Sequence, residues 1–396
     1  MTVRATTRLH YDDPTLLDFD AEVIALSRFG ERPSVILDRT AFYPESGGQL
    51  GDVGSLGEVP VIDVQVDDSG VVHHLVEAES LAVGASVRAR VDRARRRLHM
   101  ALHTGQHMLS RALLDEAGAE TVSSRLGSTA CTIDVHLASL DEGAVARAED
   151  LVNRVIEDDL AVRQYFPSPE ELTKLPLRRA PKVTENVRVV DVGGFDVSPC
   201  GGTHCTRTAQ VGVVTITNIE RYKGKGRVTF LAGRVAQREL SSRSKALAEL
   251  ARSFSCGPLE TRAGVERLRS DLQRARESLG VAREQWAALY GQRLVAEAAA
   301  RGEARVVCVL EGDTIETLRA LASTVSAVPG AIAMLASSTP EGLLITLARG
   351  EGSAFDCGAW LKRTAAAHGG RGGGRPDRAE GRLPSTVDWR AIAFTD

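Results

Sequence analysis

Three of the nine histidines fall within nine residues, in the segment LHMALHTGQHML (98–109). His99, His103 and His107 are spaced four apart, so on an α-helix they share one face, with neighbouring Cβ atoms about 5–6 Å apart. Two imidazoles placed in this way can bind one metal ion. A solvated or hydrogen-bonded helix face has the same spacing, so the row predicts a helix and leaves both interpretations open.

A second segment, DVGGFDVSPCGGTHCTRT (191–208), offers the other half of a metal site. Three residues separate Cys200 from His204, and two of them are glycines that let a loop fold back tightly. Together with His103 and His107 they form a ligand set that suits tetrahedral zinc. The thiolate favours Zn²⁺ over magnesium or calcium. The chain must then fold so that the histidine helix meets this loop.

Two further residues compete for places in this ligand set, namely His99 on the helix and Cys205 in the loop. Positions i and i+8 of a helix lie roughly 12 Å apart along its axis, so one end of the histidine row must be left out. We choose His103 and His107 because His99 follows the run Arg95–Arg97, which we expect to be exposed.

The pattern of elements predicts an α+β fold, and a chain of 396 residues suggests two to four domains. Short β-branched runs separated by turn residues predict a small β-barrel in residues 1–90. Residues 91–235 alternate helical and strand patterns, which predicts a mixed α/β domain that contains the zinc site.

The third and fourth predicted domains are a helical hairpin (236–300) and a small C-terminal α/β domain (301–396). In the hairpin segment, apolar residues from Leu268 to Leu289 alternate spacings of four and three, as in a coiled-coil seam, and Cys256-Gly257-Pro258 breaks the run. Either the hairpin or the C-terminal domain could form a homodimer.

Charge and hydropathy bear on whether the protein binds nucleic acid, enters a membrane or is secreted. The formal net charge is −3, so any nucleic-acid surface must be a local basic patch rather than a basic chain. No apolar run reaches the roughly 18 residues of a membrane span, and the N-terminus lacks the apolar core of a signal peptide. We therefore expect no membrane contact and a cytoplasmic protein with reduced thiols.

Several motifs, taken in order, resemble one family. HTGQH with CGGTH is similar to the editing domain of alanyl-tRNA synthetase and to the free-standing alanyl-tRNA editing proteins of the AlaX type, long form. TAFYPESGGQLGDVG (40–54) resembles the glycine-rich signature of that family, and GGRGGGRPDRAEG (369–381) resembles the end of the DHH-associated domain. SSRLGSTACTIDV (123–135) resembles its next strand motif, although Arg125 stands where the family pattern has a histidine.

The resemblance implies zinc-dependent hydrolysis of the ester that joins a wrong amino acid, chiefly serine and also glycine, to tRNA(Ala). The segment that precedes the editing motif leaves no room for the class II domain that activates amino acids with ATP. An alternative is a zinc-stabilised tRNA-binding protein without hydrolytic activity, and a further one is a metal hydrolase of another small ester or amide. Four protein ligands would by the general rule make a closed, structural site, so the role of zinc stays open.

The resemblance also suggests substrate contacts in the glycine-rich motif. Thr40 is the candidate for a hydrogen bond to the serine hydroxyl, with an ordinary strand residue as the alternative. Gln49 would contact the substrate or support the turn. Three glycines, Gly47, Gly48 and Gly51, would let the backbone approach the 3′ adenosine.

Basic residues in loops are the candidate contacts with tRNA phosphates. One loop between two strands carries Lys223, Lys225 and Arg227, and the glycine-rich C-terminal motif carries Arg371 and Arg375. The run Arg93–Arg97 is a third cluster. By resemblance, the C-terminal domain helps to hold the elbow of the tRNA.

Overall fold

The β-branched runs near the N-terminus form strands in the computed structural model, which describes residues 6–77, 81–127, 131–181 and 183–394. The strands before residue 92 are β1 (Thr7–Arg8), β2 (Asp18–Phe29), β3 (Arg32–Leu37), β4 (Arg39–Thr40), β5 (Gly54–Leu56), β6 (Val59–Val66), β7 (Val72–Val76) and β8 (Ser86–Val91). Strands β2, β3, β7, β6, β5 and β8 close in that order into a barrel. The predicted N-terminal barrel is therefore confirmed.

The barrel closes around side chains that alternate along its strands. In β8 every second residue is buried, so Val87, Ala89 and Val91 point inward while the arginines between them point outward. Val23 and Leu37 on neighbouring strands are also fully buried in this core. Because side chains of a strand alternate between the two faces, this pattern fixes which face of the sheet becomes the interior.

Helix α1 (Arg93–Ala117) follows the barrel directly and carries the histidine row. Its first turn is capped by the Asp92 side chain, which accepts from the Arg95 N–H, and it ends at Gly118, whose φ of 60° suits a glycine. The elements after it are β9 (Thr121–Leu126), β10 (Cys131–Val135), α2 (Glu142–Glu157), β11 (Val162–Tyr165), α3 (Pro169–Lys174), β12 (Val189–Val192), β13 (Asp196–Pro199), β14 (Val214–Tyr222) and β15 (Lys225–Ala232).

These elements form two sheets around α1. One sheet has the order β14-β15-β10-β9, and the other has the order β11-β12-β13. The apolar side of α1, including Met108, Leu109 and Leu113, shares one hydrophobic core with Ile133 and Phe230 of the larger sheet. This part of the chain therefore contains both helices and sheets, and its boundaries as a separate domain stay a prediction. Residues 128–130 of the segment 123–135 lie outside the described residues.

A buried ion pair joins α1 to the barrel. The Arg96 guanidinium donates from Nε to Asp52 Oδ2 at 3.1 Å, and both side chains are only 1% exposed. Arg96 Nη1 also donates to the Pro14 carbonyl at 2.7 Å, and Asp52 Oδ2 accepts from the Tyr43 N–H. The expectation that the run Arg95–Arg97 is exposed was therefore wrong for its central residue, because Asp52 gives that guanidinium a partner inside the fold.

The segment after β15 contains two helices, α4 (Gly233–Ser253) and α5 (Thr261–Ala300). The break between them includes Cys256-Gly257-Pro258, where the sequence predicts it. Side chains of the predicted seam on α5 are largely exposed in this single chain, among them Leu268, Leu272 and Leu279. Packing of the two helices as a hairpin stays a prediction. The chain divides into two compact units, Met1–Leu247 and Ala248–Asp396.

The second unit ends in a five-stranded sheet with helices. Its elements after α5 are β16 (Arg305–Glu311), α6 (Ile315–Ser326), β17 (Ile332–Thr339), β18 (Gly342–Arg349), α7 (Cys357–Ala367), β19 (Arg371–Gly374), β20 (Arg378–Leu383) and α8 (Trp389–Ile392). The strand order is β16-β17-β18-β20-β19, and β16 pairs with β17 in parallel. Among the described residues, no helix has the length and apolarity needed to cross a membrane.

The low-complexity motif 369–381 is ordered as the hairpin of β19 and β20. A Cβ at Gly372 would lie 2.9 Å from Leu361 Cγ on α7, and one at Gly374 would lie 2.3 Å from the Arg378 carbonyl oxygen. The glycines therefore permit close packing of a strand on a helix, which composition alone does not distinguish from a linker.

Replacing Arg96 by methionine should lower the free energy of unfolding by about 3–5 kcal/mol, because it leaves the Asp52 carboxylate buried without its cation. Arg97→Met is the matched control, since Arg97 is exposed on the same helix, and should change stability by less than about 0.5 kcal/mol. Urea unfolding followed by circular dichroism measures both. Equal losses in the two variants would show that the ion pair contributes nothing specific.

Candidate metal centre

The histidine row on α1 faces the interior. His103 is 4% exposed and His107 is fully buried, and the residues between them are buried as well. A solvated helix face is thereby excluded for these two residues. Both ring nitrogens of a buried imidazole need a polar partner, so polar groups must surround His103 and His107.

The loop after β13 carries Cys200 and His204 to the two helical histidines. One ligand atom from each of His103, His107, Cys200 and His204 can be chosen so that all lie within 4.8 Å of one another. Cys200 Sγ is 3.4 Å from His103 Nε2 and 3.3 Å from His204 Nε2. Tetrahedral zinc bonds of 2.0–2.3 Å place ligand atoms about 3.4–3.6 Å apart, so these two separations fit.

Each of the three imidazoles is oriented through its Nδ1 atom. His103 Nδ1 lies 2.7 Å from Gln49 Oε1, His107 Nδ1 lies 3.1 Å from Asp196 Oδ2, and His204 Nδ1 lies 3.3 Å from Thr104 Oγ1. Oxygen partners at Nδ1 leave the Nε2 lone pair available, which is the usual arrangement around a bound metal.

One buried nitrogen supports the fit to a metal most directly. His107 Nε2 is buried and has no hydrogen-bond partner among the described residues. A buried polar atom without a partner is costly, and a metal ion bound by the four side chains would satisfy it. The donor set, three imidazoles and one thiolate, suits zinc.

At three of the four residues, the electrostatics favour the protonation state that a metal ligand needs. Burial by itself raises the pKa of the Cys200 thiol, but the neighbouring His204 and His107 outweigh this effect and lower that pKa well below its usual value. Burial lowers the pKa of His103 and of His204 well below the usual range, so both are neutral at pH 7. A thiolate with neutral imidazoles is the state that binds zinc.

His107 differs from the other two imidazoles because a carboxylate holds it. Burial alone would lower the pKa of His107, but its hydrogen bond to Asp196 raises it above the usual value. Asp196 is itself held by Arg178, whose Nε donates to Oδ1 at 2.6 Å, and by the Ser198 hydroxyl. Sequence reasoning missed Asp196, although its place four residues before Cys200, at the start of the short strand β13, was a usable signal.

Arg188 is a second residue that the sequence did not reveal. Its Nη1 donates to the carbonyl oxygens of Cys200 and Gly202, at 3.1 and 2.8 Å, and the side chain is nearly buried. The Cys200 N–H in turn donates to the Arg188 carbonyl. Arg188 therefore fixes the curvature of the loop that carries the thiolate.

The two glycines of that loop have different surroundings. A Cβ at Gly202 would lie 2.2 Å from His103 Cε1 and 2.9 Å from Gln49 Oε1, whereas one at Gly201 would meet only Tyr11 Oη, at 3.9 Å. Gly202 thus lets the loop backbone pass directly over the His103 ring, and Gly201 does not have this role.

Gln49 joins the glycine-rich motif to the metal centre. Its Oε1 accepts from the Thr203 N–H at 3.2 Å as well as from His103, and its Nε2 donates to Thr203 Oγ1 at 2.8 Å. The side chain is fully buried. These contacts make Gln49 a positioning residue, which sets the ring of His103 and the backbone of the loop. The two predicted roles, a substrate contact and support of the turn, stay predictions.

The two competing ligands lie outside the cluster. His99 is 1% exposed, but it does not belong to the group of potential ligands, and burial lowers its pKa to about 4. Cys205 packs in the hydrophobic core, where burial raises the pKa of its thiol to about 11. The structure thus brings together the four residues that the sequence analysis chose, although exposure of the arginine run was the wrong reason to set His99 aside.

Thr40, on β4, lies in a different hydrogen-bond network, which includes His74 on β7 of the barrel. His74 Nδ1 lies 3.0 Å from the Val35 carbonyl, which can only accept, so Nδ1 carries the ring proton. Burial lowers the pKa of His74 to about 4, so at neutral pH its Nε2 is an acceptor. The Thr40 hydroxyl, 2.8 Å away, must donate to it, and it accepts from the Phe42 N–H. One lone pair of Thr40 remains.

The three glycines of the same motif are explained by backbone conformation or by close contacts within the protein. Gly47 and Gly48 have φ of 58° and 87°, and a Cβ at Gly48 would lie 2.8 Å from the Ser124 carbonyl oxygen of β9. A Cβ at Gly51 would lie 2.5 Å from the Val64 carbonyl oxygen of β6. The positive φ of Gly47 and the close contacts at Gly48 and Gly51 account for these glycines without a substrate.

The basic residues predicted to contact tRNA differ in exposure and in the partners they have within the protein. Arg227 donates to both carboxylate oxygens of Asp134 and lies over the Tyr222 ring. Lys223 is exposed at the turn between β14 and β15, and Lys225 next to it is half-buried. On the second unit, Arg371 and Arg375 are both exposed.

Comparison with known proteins places this site in a family. Residues 6–95 match the family model described as tRNA synthetases class II (A), and residues 187–229 match the threonyl and alanyl tRNA synthetase second additional domain. The alanyl-tRNA editing protein AlaX-L of Pyrococcus horikoshii is 30% identical over 95% of this chain and 94% of its own length. The chain belongs to the alanyl-tRNA editing protein family. The resemblance predicted from the motifs is confirmed.

The chain is also similar to part of larger enzymes. Alanine–tRNA ligases of Archaeoglobus fulgidus and Halorubrum lacusprofundi are 30% and 32% identical over 97% and 96% of this chain, which spans only 43% and 42% of their lengths. Among solved structures, the C-Ala domain of Aquifex aeolicus alanyl-tRNA synthetase covers 22% of the chain at 21% identity, with a TM-score of 0.21 that is too low for a structural argument.

Cys200→Ala should remove bound zinc, whereas Cys205→Ala should retain it, because only Cys200 lies among the imidazoles. Metal content of the purified proteins, measured by mass spectrometry, tests this directly. Cys205 is the matched control, a buried thiol five residues along the same loop. Loss of zinc from Cys205→Ala with retention in Cys200→Ala would reverse the assignment.

Gly202→Ala should weaken zinc binding by about 10- to 100-fold, the usual cost of disturbing a group that orients a ligand. The added methyl would displace the His103 ring. Gly201→Ala adds the same atom one residue earlier, where there is room, and should bind zinc as the wild type does. Competition with a chelator gives both affinities; identical values would show that the loop tolerates a side chain over the ring.

Proposed function

We propose that the protein is a zinc-dependent hydrolase that deacylates Ser-tRNA(Ala), with Gly-tRNA(Ala) as a second substrate. Membership of the alanyl-tRNA editing family supports the substrate class. The observation that carries the proposal is the buried cluster of His103, His107, Cys200 and His204. Their Nδ1 partners and the lowered pKa of the Cys200 thiol support zinc as the metal.

The residues of the chain have separable tasks in this proposal. The four ligands would hold zinc, which supplies Lewis-acid chemistry for ester hydrolysis when bound. Gln49 and Asp196 orient His103 and His107 through Nδ1. Arg188 holds the loop that carries Cys200.

A separate hydrolytic site has a physical reason. A synthetase pocket built for alanine cannot exclude the smaller glycine by size, and it rejects one added hydroxyl poorly. A site that removes serine after the synthesis of the ester must therefore recognise the hydroxyl. Thr40 remains our candidate, and only as an acceptor, because its own proton is used by His74. The side chain is fully buried, so a serine hydroxyl reaches it only after neighbouring residues move.

We place contacts with the tRNA backbone at Lys223 and Lys225 in the first unit and at Arg371 and Arg375 in the second. Lys223, Arg371 and Arg375 are exposed, which a phosphate contact requires. Arg227 is the weakest member of the predicted set, since Asp134 already neutralises its charge.

The homodimer also stays a proposal, and α5 is the surface that supports it. Exposed apolar side chains at Leu268, Leu272 and Leu279 follow the spacing of a coiled-coil seam. The mass of the protein in solution, measured by sedimentation, decides between one chain and two.

A zinc-stabilised tRNA-binding protein is the second candidate, because four protein ligands leave no open position on a tetrahedral metal. One experiment separates the two. The wild type should deacylate Ser-tRNA(Ala) and spare Ala-tRNA(Ala), and Cys200→Ala and His103→Ala should fall to the background rate while Cys205→Ala stays active. Binding of tRNA without turnover by the zinc-loaded wild type would favour the second candidate.

The same assay tests Thr40. Thr40→Val should lower kcat/KM for Ser-tRNA(Ala) by about 10-fold, the value of one hydrogen bond, and Thr40→Ser should restore it. A variant that keeps its preference for serine but unfolds at lower urea would show that the Thr40 hydroxyl serves only His74 and the Phe42 N–H.

Lys223→Gln should weaken binding of any tRNA(Ala) variant to a similar extent and reduce the salt dependence of the affinity by about one unit of slope. Lys174→Gln, at an exposed lysine of α3 that pairs with Glu170, is the control and should leave the slope unchanged. Affinities measured across a salt series provide the comparison, and equal slopes for all three proteins would remove Lys223 from the interface.

A further inference from the structure

Two aromatic side chains lie beside the loop that carries Cys200. Tyr11 ends the short 3-10 turn Leu9–Tyr11, and Phe166 directly follows β11. Their rings meet edge to face, with centroids 5.7 Å apart and an angle of 72° between the planes. Among the described residues, the one heavy atom within 4 Å of a Cβ built at Gly201 would be Tyr11 Oη, at 3.9 Å. Since Gly201 follows Cys200 in the chain, Tyr11 lies beside the loop that carries the thiolate, and Phe166 packs on Tyr11.

Phe166 presents an apolar ring to solvent, with 48% of the residue exposed. Of the large hydrophobic side chains that are exposed among the described residues before 248, it is the one aromatic side chain. An aromatic ring presented to solvent next to a site is a common platform for a nucleobase, because every base has a π-face that can stack.

Tyr11 is held in a fixed orientation behind Phe166. The buried ring of His10 packs against it with centroids 4.7 Å apart, and Arg8 Nη1 donates to its Oη at 3.0 Å. The Arg188 guanidinium lies 5.1 Å from the centroid of the Tyr11 ring. Because these contacts already fix the Tyr11 ring, little conformational entropy is lost there when a base stacks on the platform of Phe166 and Tyr11.

A cation accompanies the rings. Arg188 is occupied by the carbonyl oxygens of the loop, but Arg8 forms no salt bridge with a carboxylate in the described part of the chain. Its contacts are the Tyr11 hydroxyl and, at 3.4 Å, the Gly70 carbonyl. An arginine without a carboxylate partner beside an aromatic platform matches a nucleotide, which has a base to stack and a phosphate to neutralise.

We infer that Phe166 and Tyr11 form the subsite for the terminal adenine of the tRNA substrate, with Arg8 facing the phosphate of the same nucleotide. The inference rests on the proposed function, since the ester to be hydrolysed is attached to the ribose of that nucleotide. Tyr11 links the two places, because its ring meets Phe166 and its hydroxyl lies 3.9 Å from where a Cβ at Gly201 would be.

The test uses binding, so that it does not depend on turnover. One tRNA(Ala) carries serine through a non-hydrolysable 3′-amide on the terminal adenosine, and a second lacks that adenosine. Fluorescence anisotropy gives the affinity of the full-length protein for each. Phe166→Ala should weaken binding of the first by about 5- to 100-fold and leave binding of the second unchanged.

Two further variants complete the design. Phe166→Tyr should restore the affinity, because it restores the ring. Leu26→Ala is the matched control, an exposed apolar side chain on β2 that is 37% exposed, and should change neither affinity. Since Phe166 is itself half exposed, its removal should leave the zinc content of the protein unchanged.

Three outcomes overturn the subsite: equal affinity of wild type and Phe166→Ala for the complete analogue, equal losses for both tRNAs, or a wild type that does not distinguish the two tRNAs. Hydrolysis of Ser-tRNA(Ala) by the wild type is measured separately. A protein that hydrolyses the ester without the Phe166-dependent difference loses only the subsite. One that shows the difference without hydrolysis keeps the subsite and loses the proposed function.

Discussion

Three imidazoles buried at one point need three oxygen partners, and this need governs how the first unit is assembled. Gln49 supplies one partner from the turn before β5, Thr104 another from α1, and Asp196 the third from β13. These residues are up to 147 positions apart in the chain (196 minus 49). Barrel, helix and smaller sheet must therefore hold their relative positions, because displacement of any one leaves a buried ring nitrogen without its acceptor.

The ion pair of Arg96 and Asp52 also holds α1 against the barrel, near the start of the helix. A buried pair is weak evidence of net stabilisation, since desolvation offsets much of the attraction. Its geometric effect is clearer, because the guanidinium also meets the Pro14 carbonyl and the carboxylate also accepts from the Tyr43 N–H. The start of α1 is thereby fixed against the barrel seven residues before His103.

The sequence was sufficient for the parts of the fold and site that depend on local spacing. The i and i+4 histidines, the C-x-x-x-H loop and the alternating barrel strands are short-range patterns, and the structure brings them together as predicted. Thr104 and Arg188 could not be found in this way, because each acquires its role from a contact with another segment of the chain. The run Arg95–Arg97 misled for the same reason, since the partner that buries Arg96 lies 44 residues earlier. The composition of the glycine-rich motif near residue 372 indicates a low-complexity segment, although Gly372 packs a strand closely against α7.

The missing side chain at Gly202 has a consequence for how the centre gains and loses a metal. The loop backbone passes so close to the His103 ring that the ring cannot turn away while the loop is in place. Arg188 holds that loop by two of its carbonyl oxygens. Exchange of a bound ion would then require the segment to lift as a unit, so the lifetime of the loaded state would be set by the rate of local opening rather than by the lability of individual ligand bonds.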